Sequence, residues 1–131
     1  AGVVAIFAIQ MLTGKQPTIF GPGDKTRDYS HVSDIVESNI IALERGKNAI
    51  YNIGTGIETK DQEIFDTMAN VLGYKGKPTY APLRPGEVYR IALDCRKARR
   101  ELGWSPKLNL REGIAQTADY YRNLAKQTRA N

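Results

Sequence analysis

Apolar residues recur along much of this chain at the spacing of α-helices, and shorter apolar segments lie between them. The apolar stretch from Val3 to Leu12 predicts a largely buried helix that ends at Gly14, a residue suited to a left-handed helix end. Apolar positions three and four residues apart predict four more helices, over residues 33–45, 59–72, 95–102 and 110–126.

Polar residues at the starts of three of these helices predict their caps. Ser33 is a favourable N-cap for the second helix, and Asp94 can cap the short helix that begins at Cys95. The run Thr59-Lys60-Asp61-Gln62 resembles a capping box, which would begin the third helix at Thr59.

Three short segments between the helices predict strands. Residues 18–20 are rich in β-branched side chains, residues 28–32 alternate like a half-buried strand, and residues 49–54 end in a glycine turn. Residues 21–24 predict a turn, and residues 78–83 an extended stretch. Strands that alternate with helices indicate an α/β fold in which short strands pack against helices.

Composition narrows the class of protein. The 131 residues, 41% apolar and 25% charged, suit one globular domain with its own core. The single cysteine, Cys95, excludes a disulfide framework and a cysteine zinc site and indicates a reducing compartment, which we expect to be cytoplasmic. One histidine, His31, is too few for a His-rich metal centre. We expect Cys95 and His31 to have structural roles. The longest apolar run, residues 2–9, is far shorter than the roughly 20 residues of a membrane span, so no membrane partner is expected.

The start of the chain bears on its domain organisation. It begins Ala1-Gly2-Val3-Val4, without a Met and already inside the first helical pattern. We therefore expect residues 1–131 to be the C-terminal portion of a longer protein.

Charge is unevenly distributed. Residues 1–74 carry 6 basic and 9 acidic side chains, whereas residues 75–131 carry 13 and 5. An anionic ligand near the second half fits this distribution, and so does a solvated basic helix face on Arg96, Lys97, Arg99 and Arg100. Nucleic acid is not the expected partner, because the basic residues lack the interleaved aromatic residues that stack on bases.

Several catalytic motifs are absent from the sequence. The segments Gly21-Pro22-Gly23 and Gly54-Thr55-Gly56 both lack the third small residue of a dinucleotide-binding loop. None of the seven tyrosines is followed four residues later by a lysine, the spacing that lowers the pKa of a catalytic tyrosine. We therefore expect no catalytic residue and no cofactor-binding loop in this chain.

Two arginine segments remain as candidate binding groups, Thr26-Arg27-Asp28-Tyr29 and Leu83-Arg84-Pro85-Gly86-Glu87. Two planar guanidinium groups can bracket a diphosphate, and a nearby carboxylate can accept hydrogen bonds from ribose hydroxyls. From the residues alone, surface ion pairs of these arginines with Asp28 and Glu87 explain the pattern equally well.

Collinear motifs along nearly the whole chain resemble the C-terminal half of UDP-glucose 4-epimerases, in the extended short-chain dehydrogenase/reductase superfamily. They begin with Gly2-Val3-Val4-Ala5-Ile6-Phe7, Gln16-Pro17-Thr18-Ile19-Phe20-Gly21 and Thr26-Arg27-Asp28-Tyr29-Ser30-His31-Val32-Ser33-Asp34. They continue with Tyr51-Asn52-Ile53-Gly54-Thr55-Gly56, Leu83-Arg84-Pro85-Gly86-Glu87 and Lys97-Ala98-Arg99-Arg100-Glu101-Leu102-Gly103-Trp104. Small departures from the family pattern occur at Ser30 and Arg96.

The resemblance implies a role for each matching residue. Arg27 and Arg84 match arginines that contact the diphosphate of a UDP-sugar, and Glu87 matches the acidic residue at the ribose. The stretch Thr18-Ile19-Phe20 matches the one whose backbone lies against the uracil. NAD and the catalytic Tyr/Lys pair would belong to an N-terminal Rossmann domain that this chain lacks. The resemblance also allows a homodimer of the full-length protein.

The activity implied is that of an NAD-dependent UDP-glucose/UDP-galactose 4-epimerase, and this chain alone is expected to be inactive. Nucleotide-sugar 4,6-dehydratases tend to have Arg-Pro-Gly-His-Asp at the second arginine motif, where this chain has Arg84-Pro85-Gly86-Glu87-Val88. A dehydratase or another sugar epimerase is the alternative within the enzymes. A non-catalytic nucleotide- or anion-binding module and a basic nucleic-acid-binding fragment are the alternatives outside them.

Overall fold

The molecule combines five helices with four short strands over the part of the chain that the structure describes. This structure, a computed structural model, describes the backbone of residues 2–130 and the side chains of residues 2–127. In chain order the elements are α1 (Val3–Leu12), β1 (Thr18–Phe20), β2 (Thr26–Arg27), α2 (Val32–Arg45), β3 (Thr59–Lys60), α3 (Asp61–Leu72), β4 (Thr79–Ala81), α4 (Arg96–Leu102) and α5 (Leu110–Ala130).

Three helices, α1, α3 and α5, pack against one another and form the main core. The apolar face of α1 supplies Phe7, whose ring meets that of Phe65 on α3 edge to face, with 5.9 Å between centroids. Ile19 of β1 is buried in the same core, so this strand is fixed directly to the helices. The other fully buried members are Ala8, Ile64, Met68 and Ala118.

The strands form two separate pairs. β1 and β4 are parallel, with Thr18 opposite Thr79 and Phe20 opposite Ala81. β2 and β3 are antiparallel, with Thr26 opposite Lys60. Short strands packed on helices confirm the predicted α/β class.

The predicted helices are confirmed, with corrections at their starts and on their faces. His31 rather than Ser33 is the N-cap of α2, because its ring accepts a hydrogen bond from the Ser33 N–H. The predicted capping box at Thr59 is wrong: Thr59 lies in β3, and α3 begins at Asp61 without a side-chain cap. Gly14 has the predicted left-handed conformation. Helix α1, however, is buried on one face only, since Ile9 is 47% exposed.

Two predicted strands are wrong. Residues 28–32 do not form a strand, because no described segment pairs with their main chain. The Asp28 carboxylate instead accepts hydrogen bonds from backbone N–H groups, and His31 caps α2. Residues 49–54 are not a strand either, because none of the described segments pairs with their main chain in a hydrogen-bonded ladder. The side chains of Tyr51 and Ile53 pack instead on a second, smaller apolar cluster around Trp104.

Helix α2 carries apolar side chains on a face that the described part of the molecule leaves uncovered. Its buried residues are the polar Asp34 and Ser38, whereas Val36, Ile40 and Leu43 are exposed. The buried Asp34 carboxylate accepts hydrogen bonds from the Lys107 and Leu108 N–H groups. These bonds hold the chain that follows Trp104 against α2.

Candidate functional site

The structure brings all the sequence-predicted site residues to one cleft. The cleft has a volume of about 660 Å³ and lies between the start of α1, strand β1 and the loop that follows β4. Three cationic and two anionic side chains line it. The predicted residues at its wall are Thr18, Ile19, Phe20, Arg27, Arg84 and Glu87.

Strand β1 exposes main-chain hydrogen-bonding groups along one edge. Its other edge is taken by β4, since the Thr79 N–H donates to the Pro17 carbonyl at 2.9 Å and the Gly21 N–H donates to the Ala81 carbonyl at 2.7 Å. In a strand, successive residues direct their N–H and C=O groups to opposite edges. Residues 17, 19 and 21 therefore face β4, and the main-chain groups of Thr18 and Phe20 face away from it.

Gly21 permits the close approach that ends this strand. Its φ of 85° is left-handed, and a Cβ placed on it would lie 2.5 Å from the Leu83 Cδ2 atom. The loop that carries Arg84 therefore lies directly against the end of β1.

Arg84 is held at the mouth of the cleft by weak contacts that leave its donors available. Its guanidinium carbon lies 3.7 Å from the centroid of the Phe20 ring, a cation–π contact. The Arg84 Nη1 atom is 3.9 Å from the Glu87 Oε1 atom, and the arginine side chain is 58% exposed. The predicted alternative of a surface ion pair is thus present, but it is long and exposed, and such pairs contribute little to stability.

Arg27 is not paired with Asp28, the other surface ion pair that the sequence left open. The Asp28 carboxylate accepts hydrogen bonds from the Thr55 and Gly56 N–H groups at 2.8 and 2.9 Å and from the Leu93 N–H at 3.1 Å. Burial alone would raise the pKa of Asp28, but these bonds and one from the Thr55 hydroxyl hold that pKa below its usual value. The Arg27 guanidinium donates to the Thr26 carbonyl at 2.7 Å and lines the cleft.

Glu87 is held by a lysine that the sequence analysis did not single out. The Lys25 ammonium donates a hydrogen bond to Glu87 Oε2 and lies 3.5 Å from Asp61 Oδ2. The hydrogen bond from Lys25 lowers the pKa of Glu87, with a smaller contribution from Arg84, so Glu87 is an anion at neutral pH.

Tyr29 also lines the cleft and contacts Asp61. Its hydroxyl lies 3.5 Å from Asp61 Oδ1. Burial, and then the Asp61 charge, raise the pKa of Tyr29, so the hydroxyl stays protonated. A protonated tyrosine in this position can donate a hydrogen bond but cannot act as a base at neutral pH.

One regularity of the sequence could have found Lys25 and Tyr29, two of the three missed residues. Lys25, Arg27 and Tyr29 are alternate residues of an extended segment, so their side chains fall on the same side of it. Asp61 could not have been found in this way, because it reaches the cleft only through the pairing of β2 with β3.

Other candidate residues have structural roles. Cys95 is buried, and burial raises the pKa of its thiol, as expected for a small packing residue. The basic residues of α4 are exposed and occupied: Arg96 pairs with Asp94, Arg100 with Glu101, and Lys97 donates to the Ile50 carbonyl. This is the predicted solvated face.

Both Gly-x-Gly segments pack against the chain itself. A Cβ at Gly23 would lie 3.2 Å from Gln62, and one at Gly54 would lie 2.7 Å from an Asp28 carboxylate oxygen. They therefore do not fit as a cradle for the pyrophosphate of a dinucleotide. Within the described residues there is no cluster of metal-ligating side chains. Nor does any described helix combine the length and apolarity needed to cross a membrane.

Comparison with known proteins shows that this chain is similar to nucleotide-sugar enzymes. The family model for GDP-mannose 4,6 dehydratase matches residues 2–117. The UDP-glucose 4-epimerase of Mycolicibacterium smegmatis is 42% identical over 124 residues, which are 94% of this chain and 40% of that protein. The dTDP-glucose 4,6-dehydratase of Escherichia coli is 32% identical over 128 residues, covering 91% of this chain and 36% of that protein.

Solved structures give the same result. The crystal structure of UDP-glucose 4-epimerase with UDP-glucose from Thermotoga maritima superimposes with a TM-score of 0.92 at 44% identity, over 95% of this chain and 40% of that one. The chain thus spans about 40% of the length of the UDP-glucose 4-epimerase that it matches in Mycolicibacterium smegmatis.

Proposed function

Because the chain belongs to the GDP-mannose 4,6 dehydratase family, we propose that it is the part of an NAD-dependent UDP-glucose/UDP-galactose 4-epimerase that binds the UDP moiety of the substrate. The observation that carries the proposal is the cleft in which Arg27, Arg84 and Glu87 meet the free edge of β1. Each chemical part of UDP finds a matching group there.

The uracil would bind along β1. The outward main-chain N–H and C=O groups of Thr18 and Phe20 form a pattern of donors and acceptors that can pair with the edge of a pyrimidine. The ribose hydroxyls would donate to the Glu87 carboxylate, which is ionised and so accepts well.

The diphosphate would lie between Arg27 and Arg84. Hydrogen bonds between a guanidinium and phosphate oxygens are charge-assisted and directional. The two guanidinium groups supply two positive charges against the two or more negative charges of the diphosphate.

This arrangement binds and orients, and it moves no proton. Anchoring the nucleotide at one end lets the hexose at the other end turn within the site, which an epimerase requires. NAD supplies hydride transfer at C4 in such an enzyme. The two Gly-x-Gly segments of this chain do not fit as a cradle for the pyrophosphate of a dinucleotide, so in this proposal NAD and the Tyr/Lys pair belong to an N-terminal Rossmann domain outside residues 1–131.

The proposal is tested in the intact protein by incubation with UDP-galactose and NAD, with UDP-glucose measured as the product. Titration of UDP by calorimetry into the wild type, Arg27→Ala and Arg100→Ala measures the binding step. Arg27→Ala should weaken UDP binding about tenfold or more. Arg100→Ala, which removes an exposed arginine on α4, should not change it. UDP binding that is unaffected by Arg27→Ala would refute the assignment of the cleft.

A 4,6-dehydratase is the second candidate, because the family model and the Escherichia coli relative both carry that activity in their names. Incubation of the intact protein with dTDP-glucose distinguishes the two enzymes, since a dehydratase forms a 4-keto-6-deoxy sugar and an epimerase does not. A non-catalytic anion-binding module would convert neither sugar and would bind inorganic pyrophosphate as tightly as UDP.

A further inference from the structure

Lys25 is a buried cation at the base of the cleft. Its side chain is 7% exposed and lies between the carboxylates of Asp61 and Glu87. An ammonium removed from water is costly unless it is paired, so these two contacts fix where the Lys25 side chain can lie.

One of the two carboxylates, that of Asp61, belongs to a helix of the main core. Asp61 is the first residue of α3, and its N–H donates to the Lys25 carbonyl at 3.0 Å. The next residue is tied in the same way, since the Gln62 N–H donates to the Gly23 carbonyl at 3.0 Å. The main chain and the side chain of Lys25 are therefore both attached to the start of a core helix.

The other carboxylate belongs to a loop without regular structure. Residues 82–88 form neither helix nor strand, and all seven of them are exposed. Within this loop the Glu87 N–H donates to the Arg84 carbonyl at 3.5 Å, so the two residues sit on one turn. Whatever holds Glu87 therefore also positions Arg84.

We propose that Lys25 is a positioning residue for nucleotide binding: it ties the Arg84–Glu87 turn to α3 and occupies Glu87, so that Arg84 remains free for phosphate. This inference rests on the proposed function, because it assumes that Glu87 meets the ribose and Arg84 the diphosphate. Lys25 itself touches neither.

The charges explain why the lysine matters. Glu87 Oε2 is taken by Lys25, and Glu87 Oε1 lies 3.9 Å from the Arg84 guanidinium. Without Lys25, the nearest cation to Glu87 is Arg84. A closer Arg84–Glu87 pair would occupy donors needed by the diphosphate and turn the carboxylate away from the ribose.

The test compares UDP with a UDP analogue that lacks both ribose hydroxyls, titrated into the intact protein by calorimetry. In the wild type, UDP should bind about tenfold or more tightly than the analogue, because a hydrogen bond to a charged carboxylate is lost. Lys25→Met should weaken UDP binding about tenfold and bring the two ligands to within about twofold of each other. Lys25→Arg should restore most of the preference, and Lys15→Met, which removes an exposed lysine outside the cleft, should leave it unchanged.

A second variant controls for the possibility that Lys25→Met loses the ribose preference only because it unfolds. Lys25→Met leaves Asp61 without its cation, whereas the double variant Lys25→Met/Asp61→Asn leaves no unpaired carboxylate at that position. It should lose the ribose preference in the same way, because Glu87 is still unattached.

The outcomes separate the two proposals. A wild type that does not distinguish UDP from the analogue contradicts the placement of Glu87 at the ribose, and with it both proposals. A wild type with a clear preference that Lys25→Met and the double variant retain in full overturns the role of Lys25 alone and leaves the proposed function standing.

Discussion

Replacing Arg84 is the sharpest perturbation of the cleft, because its present contacts are weak and its proposed ones are strong. In the structure the guanidinium has an exposed contact with Phe20 and a 3.9 Å approach to Glu87. An exposed ion pair contributes less than about 1 kcal/mol, and an exposed cation–π contact about 0.5–1 kcal/mol. Arg84→Ala should therefore cost the folded protein about 1 kcal/mol of stability.

The effect on UDP binding should be larger. A hydrogen bond to a charged group contributes roughly 1.5–3 kcal/mol, and each 1.4 kcal/mol corresponds to about a factor of ten in affinity. Arg84→Ala should thus weaken UDP binding about ten- to a hundredfold in the intact protein. Arg84→Lys should recover only part of this, because an ammonium cannot present the two parallel donors of a guanidinium.

Calorimetric titration of UDP into the wild type, Arg84→Ala and Arg84→Lys measures these differences, with Arg100→Ala as the matched control. Chemical denaturation of the same four proteins gives the stability change. If Arg84→Ala lowers the free energy of unfolding by about 1 kcal/mol and leaves UDP affinity unchanged, the arginine is a surface ion-pair residue and the diphosphate assignment is refuted.

Three further predictions concern activity and stability. Residues 1–131 alone should not convert UDP-galactose in the presence of added NAD, and turnover above a buffer blank with contamination excluded would contradict this. Asp28→Asn should destabilise the fold by about 1–3 kcal/mol in urea denaturation. The carboxylate now accepts hydrogen bonds from backbone N–H groups at both of its oxygens, and in the variant an amide NH₂ would face some of these donors. The pKa of Asp28 is lowered in the folded state, so its contribution is present above its ordinary value of 3.8 and is lost as the pH falls through the lower folded pKa; Asp28→Asn should remove that part of the acid sensitivity. Gly21→Val should lower the melting temperature, because it forces a β-branched residue to a φ of 85° and against Leu83, and an unchanged melting temperature would contradict the packing at the end of β1.

The sequence predicted the helices well because their information is local. Apolar spacing located all five, and Gly14, Gly73 and Gly103 ended three of them in the left-handed conformation. The capping residues were less predictable. His31 displaced Ser33 because α2 begins at Val32, where the His31 imidazole accepts a hydrogen bond from the Ser33 N–H, and this start depends on where the preceding loop enters the helix.

Strands were harder to predict because a strand is defined by its neighbour. The composition of residues 49–54 suits a strand, but no other described segment pairs with them in a hydrogen-bonded ladder. Strands β2 and β3 were missed because each has only two residues, which is too few to produce an alternating pattern. Only their pairing with each other identifies them as strands.

The candidate site was assembled from motifs that lie up to 69 positions apart, Thr18 and Glu87 being the outermost. Residue chemistry alone made the two arginine segments candidates, the resemblance added Thr18-Ile19-Phe20 and the individual roles, and the fold brings these residues to one cleft. The alternation of Lys25 with Arg27 could have placed Lys25 in the cleft, but the sequence does not show that this lysine is buried between Asp61 at a helix start and Glu87 in a loop. That contact depends on the antiparallel pairing of β2 with β3.

The free edge of β1 has a consequence for how base preference could change during evolution. A base held there is recognised by peptide groups, which every amino acid carries. In the proposed binding mode, point substitutions at Thr18 or Phe20 alter the side chain and leave the donors and acceptors in place, which would buffer the choice of nucleobase against single mutations. A relative that prefers another base would need a shifted register between β1 and β4, or an insertion before Thr18. Comparison of nucleotide preference with loop length before this strand, across members of the family, would reveal such changes.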